Sequence, residues 1–454
     1  MSIESIDAGI VIWQKFRYNI KKSERGKFMA LPEQIINAYK AILREELLVA
    51  MGCTEPISIA YAAAIVRKAM GAKPERMMVE LSGNIIKNVK SVIVPATGGL
   101  HGIEAAVSAG IIDAAPERKL EVLSALNAGD QNRILSFMED CAFSVTEMHT
   151  IHPFDLRITG YAGTDFVSVR IQKNHTNVVR VEHNGIDITQ QYLLAQEKAE
   201  EVRTDRSVLN VQDIVTFADE VDLEDLKPLL ERQIEMNMAI AEEGIRGDWG
   251  ASIGQVLYAG GKASLRDRAR ALAAAGSDAR MSGCEMPVAI ISGSGNQGMT
   301  ASIPVVVYAR EMGVDQDTLL RALLVSDLMT VHQKTGIGTL SAYCGAISAG
   351  CGAGCGIAYL NGGRFYEIAH TLVNSVAILS GTICDGAKPS CAAKIAMAVE
   401  AGIMGYEMMR SGHQFYAGDG IITKGVENTI YNVGKLARDG MTATDKEIIR
   451  IMLS

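Results

Sequence analysis

The chain has 454 residues, of which 48% are hydrophobic and 21% charged, and its net charge is −8. This balance is typical of a folded globular protein and excludes an intrinsically disordered one. The acidic charge and the lack of a long Lys/Arg block in the sequence argue against a nucleic-acid-binding surface. The apolar runs are too short to cross a bilayer, and the length allows two or three domains.

Residues 1–28 are interpreted as an extension ahead of ordinary domain sequence, which begins at Met29. Their apolar run, Ile10–Trp13, precedes the basic cluster between Lys15 and Lys27. A secretory signal has the opposite order, so we predict a cytoplasmic protein. The eight cysteines are therefore not expected to form a disulfide framework.

The motif Gly52-Cys53-Thr54-Glu55-Pro56 joins two predicted helices, the second of which spans Ile57–Met70. Pro56 suits the first turn of that helix, and Thr54 is predicted to cap it. Cys53 would then lie at the helix N-terminus. Unpaired N–H groups there favour the thiolate and lower a thiol pKa.

Short strands are predicted at Met77–Leu81 and Val92–Pro95, followed by a loop that leads into a helix over Ile103–Ala109. From about Ser144 to Ile188, apolar and polar residues alternate with the period of two that indicates strands, including a hairpin.

The segment Gln196–Arg206 is charged, and we predict a surface helix or connector there. After Val211 the pattern is mostly helical. The predicted fold class is α+β: a mixed α/β domain with short strands over 29–210, which carries the Cys53 motif, and a mostly helical domain over 211–454.

Five of the eight cysteines fall between positions 344 and 391. Cys384 and Cys391 are separated by six residues, and such a loop can surround a metal ion or an iron–sulfur cluster. This spacing matches neither a ferredoxin nor a zinc ribbon. Cys344, Cys351 and Cys355 are all candidates for a third ligand, although the last two are interpreted as small packing residues of a helix.

Two Gly-rich turns have N–H groups that could hold a carboxylate, and one lysine lies between the paired cysteines. An interhelical turn and a solvated lysine are the alternative interpretations. The candidate substrate-binding residues are Thr97, Gly98, Gly99, Ser294, Asn296, Gln297, Gly298 and Lys388.

Four other polar or thiol residues are interpreted as structural. Glu55 is expected to cap the helix that follows Cys53. His175 is expected in a solvated hairpin turn. Cys141 and Cys284 are expected to be core thiols.

Four separated segments, in this order along the chain, resemble the L-cysteine desulfidase family. That family is related to the iron–sulfur L-serine dehydratase α subunit, and this branch includes many uncharacterised bacterial proteins. The similarity extends from about Met29 to the C-terminus and also includes Asp419-Gly420-Ile421 and Gly434–Met441. The four segments are Gly52–Pro56, Gly293–Gly298, Leu340–Cys344 and Cys384–Cys391.

The resemblance implies an oxygen-sensitive [4Fe–4S] cluster held by Cys344, Cys384 and Cys391, with Cys53 as the active-site cysteine. Three ligands for four irons would leave one iron open to substrate. The implied reaction is β-elimination, from L-cysteine to pyruvate, ammonia and sulfide. Cys53 would act as the base that removes the Cα proton, or would lie near the open iron in the empty enzyme.

Three alternatives stay open at this point. The first is an L-serine or L-threonine dehydratase with the same cluster chemistry and a different leaving group. The second is a non-catalytic iron–sulfur or zinc-binding protein, and the third is a helical scaffold with core cysteines. The expected partner is a small amino acid rather than nucleic acid or a membrane, and the sequence is compatible with a homodimer.

Overall fold

A computed structural model describes residues 30–112, 115–127, 129–193, 203–259, 263–338 and 340–453. It contains 59% helix and 12% strand, with a mixed sheet in the N-terminal half and helices in the C-terminal half. The predicted α+β class is thus confirmed. The extension at residues 1–28 and most of the charged connector, residues 196–202, lie outside the described residues.

The first half of the chain mixes helices with short strands, as predicted. Its helices and strands are α1 (Glu33–Glu46), β1 (Val49–Met51), α2 (Thr54–Met70), β2 (Arg76–Leu81), α3 (Gly83–Val89), α4 (Ile103–Ile112), α5 (Gln131–Asp140), β3 (Ala142–Glu147), β4 (Asp155–Ala162), β5 (Asp165–Gln172), β6 (Val178–His183), β7 (Ile186–Asp187) and α6 (Thr189–Tyr192). A short 3-10 helix spans Pro116–Glu121.

The second half is mainly helical. Its elements are α7 (Val211–Glu220), α8 (Lys227–Arg246), α9 (Ile253–Tyr258), α10 (Leu265–Met281), β8 (Pro287–Ala289), α11 (Gly295–Met312), α12 (Gln316–Ile337), α13 (Gly345–Leu360), α14 (Phe365–Leu379), α15 (Cys391–Arg410), α16 (Val426–Lys435) and α17 (Thr442–Leu453). In the described part of the chain, we find no helix with the length and apolarity that a membrane span requires.

Six strands form one sheet in the order β3-β2-β4-β5-β6-β7. Its neighbours pair antiparallel except β2 and β3, which are parallel. The predicted hairpin is confirmed as β5 and β6, and Val167, Val169 and Ile171 are fully buried because alternate residues of β5 face one side. The predicted strand Val92–Pro95 is wrong, since only an isolated bridge from Ile93 to His101 forms there.

A small second sheet joins the two halves of the chain. β1 pairs antiparallel with β8, with Val49 opposite Ala289. β1 leads to Cys53 and β8 leads to the Gly-rich turn at 292–298, and the Thr54 hydroxyl, which donates to the Gly293 carbonyl at 2.9 Å, holds these two segments together. The ladder crosses the predicted domain boundary at residue 210, and that boundary stays a prediction.

Helices α13 and α15 pack with almost no side chain between them. A Cβ atom at Gly350 would lie 2.2 Å from the carbonyl oxygen of Ala398, and one at Gly354 would lie 2.5 Å from that of Gly402. Both pairs are 48 positions apart in sequence, so the two helices run parallel. Their N-terminal ends, which carry Cys344 and Cys391, therefore lie side by side.

The packing of α11 against β8 makes a testable prediction at Gly298. A Cβ there would lie 2.0 Å from the carbonyl oxygen of Ala289, so Gly298→Ala must displace the strand or the helix. We expect the free energy of unfolding, measured in urea, to fall by at least about 2 kcal/mol.

Gly336 in α12 is the matched control, because its nearest heavy atom beyond the helix would lie 3.4 Å from an added Cβ. Gly336→Ala should raise the free energy of unfolding by up to about 1 kcal/mol through helix propensity. An equal loss in both variants would contradict the packing argument.

Candidate active site

One cavity of about 120 Å³ lies where the two halves of the chain meet. Its wall includes the start of α2, the Gly-rich turn before α11, the segment before α13 and the loop before α15. Seven of the predicted catalytic, substrate-binding and cluster-binding residues line it: Cys53, Ser294, Asn296, Gln297, Cys344, Cys384 and Cys391.

Backbone pairing places Cys344 and Cys384 next to each other. The Cys344 N–H donates to the Thr382 carbonyl at 3.0 Å, and the Cys384 N–H donates to the Ala342 carbonyl at 2.7 Å. An isolated bridge between Tyr343 and Ile383 lies between these two bonds. The two cysteines therefore lie diagonally across this bridge, one on each side of it.

Cys391 is the first residue of α15, at the end of the loop that begins at Cys384. The loop turns at Gly386, where φ is +94° and a Cβ would lie 2.2 Å from the carbonyl oxygen of Lys87. Only glycine combines this backbone angle with so close an approach to α3. The loop thus folds onto the first half of the chain.

The cap predicted for Thr54 does not form: Cys53 occupies the N-cap position of α2, and its side chain makes no capping hydrogen bond. The Thr54 hydroxyl instead donates to the Gly293 carbonyl at 2.9 Å and ties α2 to the Gly-rich turn. The Cys53 thiol donates to Glu55 Oε2 at 3.7 Å. It packs in one small cluster with Cys391, so a fourth thiol lies beside the three proposed ligands.

Burial raises the pKa of the Cys53 thiol to about 12, against the lowering effect of the Arg280 guanidinium, and the charges of Glu55 and Cys391 raise it further. The predicted lowering of this pKa at the helix N-terminus is therefore outweighed by desolvation. In this cavity, the thiol keeps its proton unless further positive charge is brought near it.

Four helix N-termini converge on the cavity, those of α2, α11, α13 and α15. Each carries the positive end of a helix dipole. Glu55 is the only acidic side chain among the described lining residues, which also include four cations. The cavity therefore favours anions such as thiolates and carboxylates. The cations are Lys87, Arg280, Lys334 and Lys394.

Two of these lysines are almost fully buried. Lys87 pairs with Asp445 of α17 at 2.6 Å. Burial lowers the pKa of Lys334 to about 8, although the nearby Cys384 and Cys344 favour its charged form. The sequence reasoning missed both lysines, because neither belongs to a motif and each comes from a different part of the chain.

Several buried polar atoms on the cavity wall have no hydrogen-bond partner within the described chain. They are the Tyr343 hydroxyl, Gln297 Oε1, His175 Nε2 and Arg280 Nε. Buried polar groups are almost always hydrogen-bonded, so these atoms indicate a bound group in the cavity. The solvated turn predicted for His175 is wrong, since the residue is buried and its ring contacts Phe154 edge to face at 4.7 Å.

The arrangement of the three thiols fits an iron–sulfur cluster. Among the described residues, no three His, Cys, Asp or Glu side chains are close enough to share one metal ion. Zinc binds its sulfur ligands at about 2.3 Å from one point. Cys344, Cys384 and Cys391 line one cavity, and thiolates are the usual ligands of an iron–sulfur cluster.

The remaining predicted substrate contacts do not line this cavity. The Thr97 hydroxyl donates to the Val94 carbonyl at 2.7 Å, and Gly98 lies against the side chain of Gln131. Gly298 packs on β8, and Lys388 pairs with Asp385. Substrate binding by Thr97, Gly98, Gly99, Gly298 and Lys388 therefore stays a prediction that the cavity does not support.

The other four cysteines are buried and absent from the cavity lining: Cys141, Cys284, Cys351 and Cys355. Cys351 and Cys355 lie inside α13, surrounded by its close-packed neighbours. This placement agrees with the interpretation of all four as core thiols.

Residues 117–450 match the family model of the serine dehydratase alpha chain, and the protein belongs to this family. The family is generally iron–sulfur dependent, and membership supports a dehydratase-like lyase. The predicted relation to the serine dehydratase α subunit is thereby confirmed.

More specifically, the chain is similar to bacterial UPF0597 proteins. It is 52% identical to one from Desulfitobacterium hafniense over 427 residues, covering 94% of this chain and 99% of the relative. A UPF0597 protein from Lachnoclostridium phytofermentans is 44% identical over 91% of this chain and 98% of its own length. One from Treponema denticola is 42% identical over 94% of this chain and 100% of its own length.

The unpartnered Tyr343 hydroxyl makes a prediction about stability. In protein prepared with a chelator, Tyr343→Phe should raise the free energy of unfolding by about 1 kcal/mol, because it removes a buried polar atom without a partner. Urea unfolding measures the change.

Tyr359→Phe is the control, since that hydroxyl donates to Asp219 at 2.6 Å. Its loss should lower the free energy of unfolding by about 1.5–3 kcal/mol, the range for a hydrogen bond to a charged group. Similar destabilisation by both substitutions would show that the Tyr343 hydroxyl has a partner in the empty cavity.

Proposed function

We propose that the protein is an iron–sulfur lyase that catalyses β-elimination on a small amino acid, with L-cysteine as the substrate. The products would be pyruvate, ammonia and sulfide. The observation that carries this proposal is the shared cavity, in which Cys53 lies beside Cys391 and three cysteines suffice to hold a cluster.

Cys344, Cys384 and Cys391 would hold the [4Fe–4S] cluster. The cluster, when bound, supplies a Lewis acid for the leaving group at Cβ. The four helix N-termini and the nearby Lys394 favour the thiolate form of its ligands. The parallel packing of α13 and α15 sets the relative positions of Cys344 and Cys391.

Cys53 is the proposed base for the Cα proton. The base is the thiolate form of Cys53, whose proton leaves to solvent, and burial of the site opposes this loss. Arg280 is the positive charge that most favours the resulting thiolate. A thiolate in a desolvated cavity is a stronger base than one in water, and it can accept the Cα proton as the Cβ–S bond breaks.

The elimination leaves an aminoacrylate and releases sulfide. The aminoacrylate then reacts with water to give pyruvate and ammonia, so one L-cysteine and one water account for all three products. Gln297 would orient the substrate amino group, because its buried Oε1 accepts hydrogen bonds and has no partner among the described residues.

A serine or threonine dehydratase is the second candidate, favoured by the match to the serine dehydratase alpha chain. It uses the same cavity, the same base and the same cluster, with water as the leaving group. The two candidates differ only in substrate, so a direct assay separates them.

Assays of anaerobically purified protein with L-cysteine and L-serine, measuring pyruvate and sulfide, test the function. We expect sulfide and pyruvate in equal amounts from L-cysteine and a lower rate with L-serine. A higher rate with L-serine would favour the dehydratase, and no turnover of either substrate by cluster-loaded protein would rule out both candidates.

Cys53→Ala should lower the rate by at least about 100-fold, the usual contribution of a general base, while the iron content stays unchanged. Cys141→Ala is the control, because that buried thiol lies outside the cavity lining. If Cys53→Ala kept full activity, another residue would be the base.

The ligand assignment is tested by iron and sulfide analysis. Cys344→Ala should lose the cluster and its brown absorbance, because two thiolates are too few to hold it. Cys351→Ala is the matched control on the adjoining helix α13, where the thiol points into packing and is absent from the cavity lining. Retention of a full cluster by Cys344→Ala would contradict the assignment.

A further inference from the structure

Arg280 is a buried cation for which the described part of the chain provides no carboxylate partner. The residue lies in the last turn of α10 and is only 2% exposed. Its Nη1 donates to Asn296 Oδ1 at 3.1 Å, and its Nε has no partner. A buried charge without a counter-charge is costly, so proteins retain one where an anion binds.

Other shielded cations of the protein show what Arg280 lacks. Arg170 pairs with Asp155 at 2.8 Å, and Lys87 pairs with Asp445. Arg206 pairs with Glu45 and Glu46. The guanidinium of Arg280 instead contacts the neutral amide of Asn296, so no carboxylate among the described residues compensates its charge.

The guanidinium lies on the cavity wall against the first residue of α11. A Cβ at Gly295 would lie 2.5 Å from Arg280 Nε and 3.0 Å from its Cζ, so glycine is needed there to admit the side chain. The N-terminus of α11, where the Ser294 hydroxyl already accepts from the Gln297 N–H at 3.4 Å, is therefore next to a planar cation. This combination matches the two oxygens of a carboxylate.

The position of Arg280 also relates it to the proposed base. Of the charged groups that act on Cys53, Arg280 has the largest effect. An α-carboxylate on the guanidinium would hold the attached Cα close to Cys53.

We propose that Arg280 binds the α-carboxylate of the substrate and that Asn296 is a positioning residue that orients the guanidinium. This inference rests on the proposed function, since it takes the substrate to be an α-amino acid. It makes the α-carboxylate a requirement, so that the corresponding amines are not bound.

Binding measurements test the carboxylate site apart from turnover. L-alanine has the α-carboxylate and no leaving group at Cβ, and ethylamine is the same molecule without the carboxylate. Calorimetry on anaerobically purified protein should detect L-alanine binding and at least about 100-fold weaker binding of ethylamine. Absence of L-alanine binding, or equal binding of both, would overturn the proposal.

Arg280→Gln should weaken L-alanine binding by about 100-fold and raise the KM for the substrate more than it lowers kcat. Arg270→Gln is the matched control on the same helix, where the arginine pairs with Glu400 at 2.9 Å outside the cavity lining. Equal effects of the two substitutions would overturn the proposal.

Asn296→Asp decides the matter if Arg280→Gln does not fold. This change of nearly equal size places a carboxylate 3.1 Å from the guanidinium and neutralises it. We expect a folded protein with unchanged iron content and about 100-fold weaker L-alanine binding. Wild-type affinity for L-alanine in this variant would overturn the proposal.

The absorbance of the cluster distinguishes substrate binding by Arg280 from a role of Arg280 in holding the cluster. If Arg280→Gln or Asn296→Asp altered the iron absorbance and left L-alanine binding intact, Arg280 would serve the cluster and the proposal would be wrong. If wild-type protein bound L-alanine through Arg280 and turned over neither L-cysteine nor L-serine, the proposed function would fail while the carboxylate site stood.

Discussion

The close parallel packing of α13 and α15 is the constraint on which the site depends. Glycines at positions 350, 354 and 402 let the two backbones meet without intervening side chains. Because the helices run in the same direction, their N-termini must lie at one end, and with them Cys344 and Cys391. The bridge between Tyr343 and Ile383 then adds Cys384 to the same place.

The electrostatics of the cavity follow from that geometry. The positive ends of the helices that point into one space add together, and Arg280 and Lys334, which have no carboxylate partner among the described residues, add charges of their own. Burial opposes the ionisation of Cys53, whereas the positive charge of Arg280 favours it. An anionic occupant would relieve the cost of burying Arg280, which is why the cavity is better explained as a binding site than as a packing defect.

The local sequence pattern was enough to predict the helices on either side of Gly52–Pro56, the β5–β6 hairpin and the cysteine-bearing loops, because each is determined by a short stretch of sequence. It was not enough for Lys87, His175 and Arg280, which meet only when distant elements pack. The role of a glycine was also difficult to predict from the sequence. Gly298 could equally serve a ligand or a helix–strand contact, and only the neighbouring carbonyl of Ala289 shows which atoms approach it.

The ion pair between Lys87 and Asp445 has a consequence for the order in which the protein is made. The cavity wall draws on residues from Cys53 to Ile395, and the counter-charge of Lys87 comes later still, from α17. The chain leaves the ribosome with its N-terminus first. Cys53 is therefore synthesised long before the residues that complete the cavity wall. We therefore expect any group that this cavity binds to enter after synthesis, in a chain that already reaches Asp445.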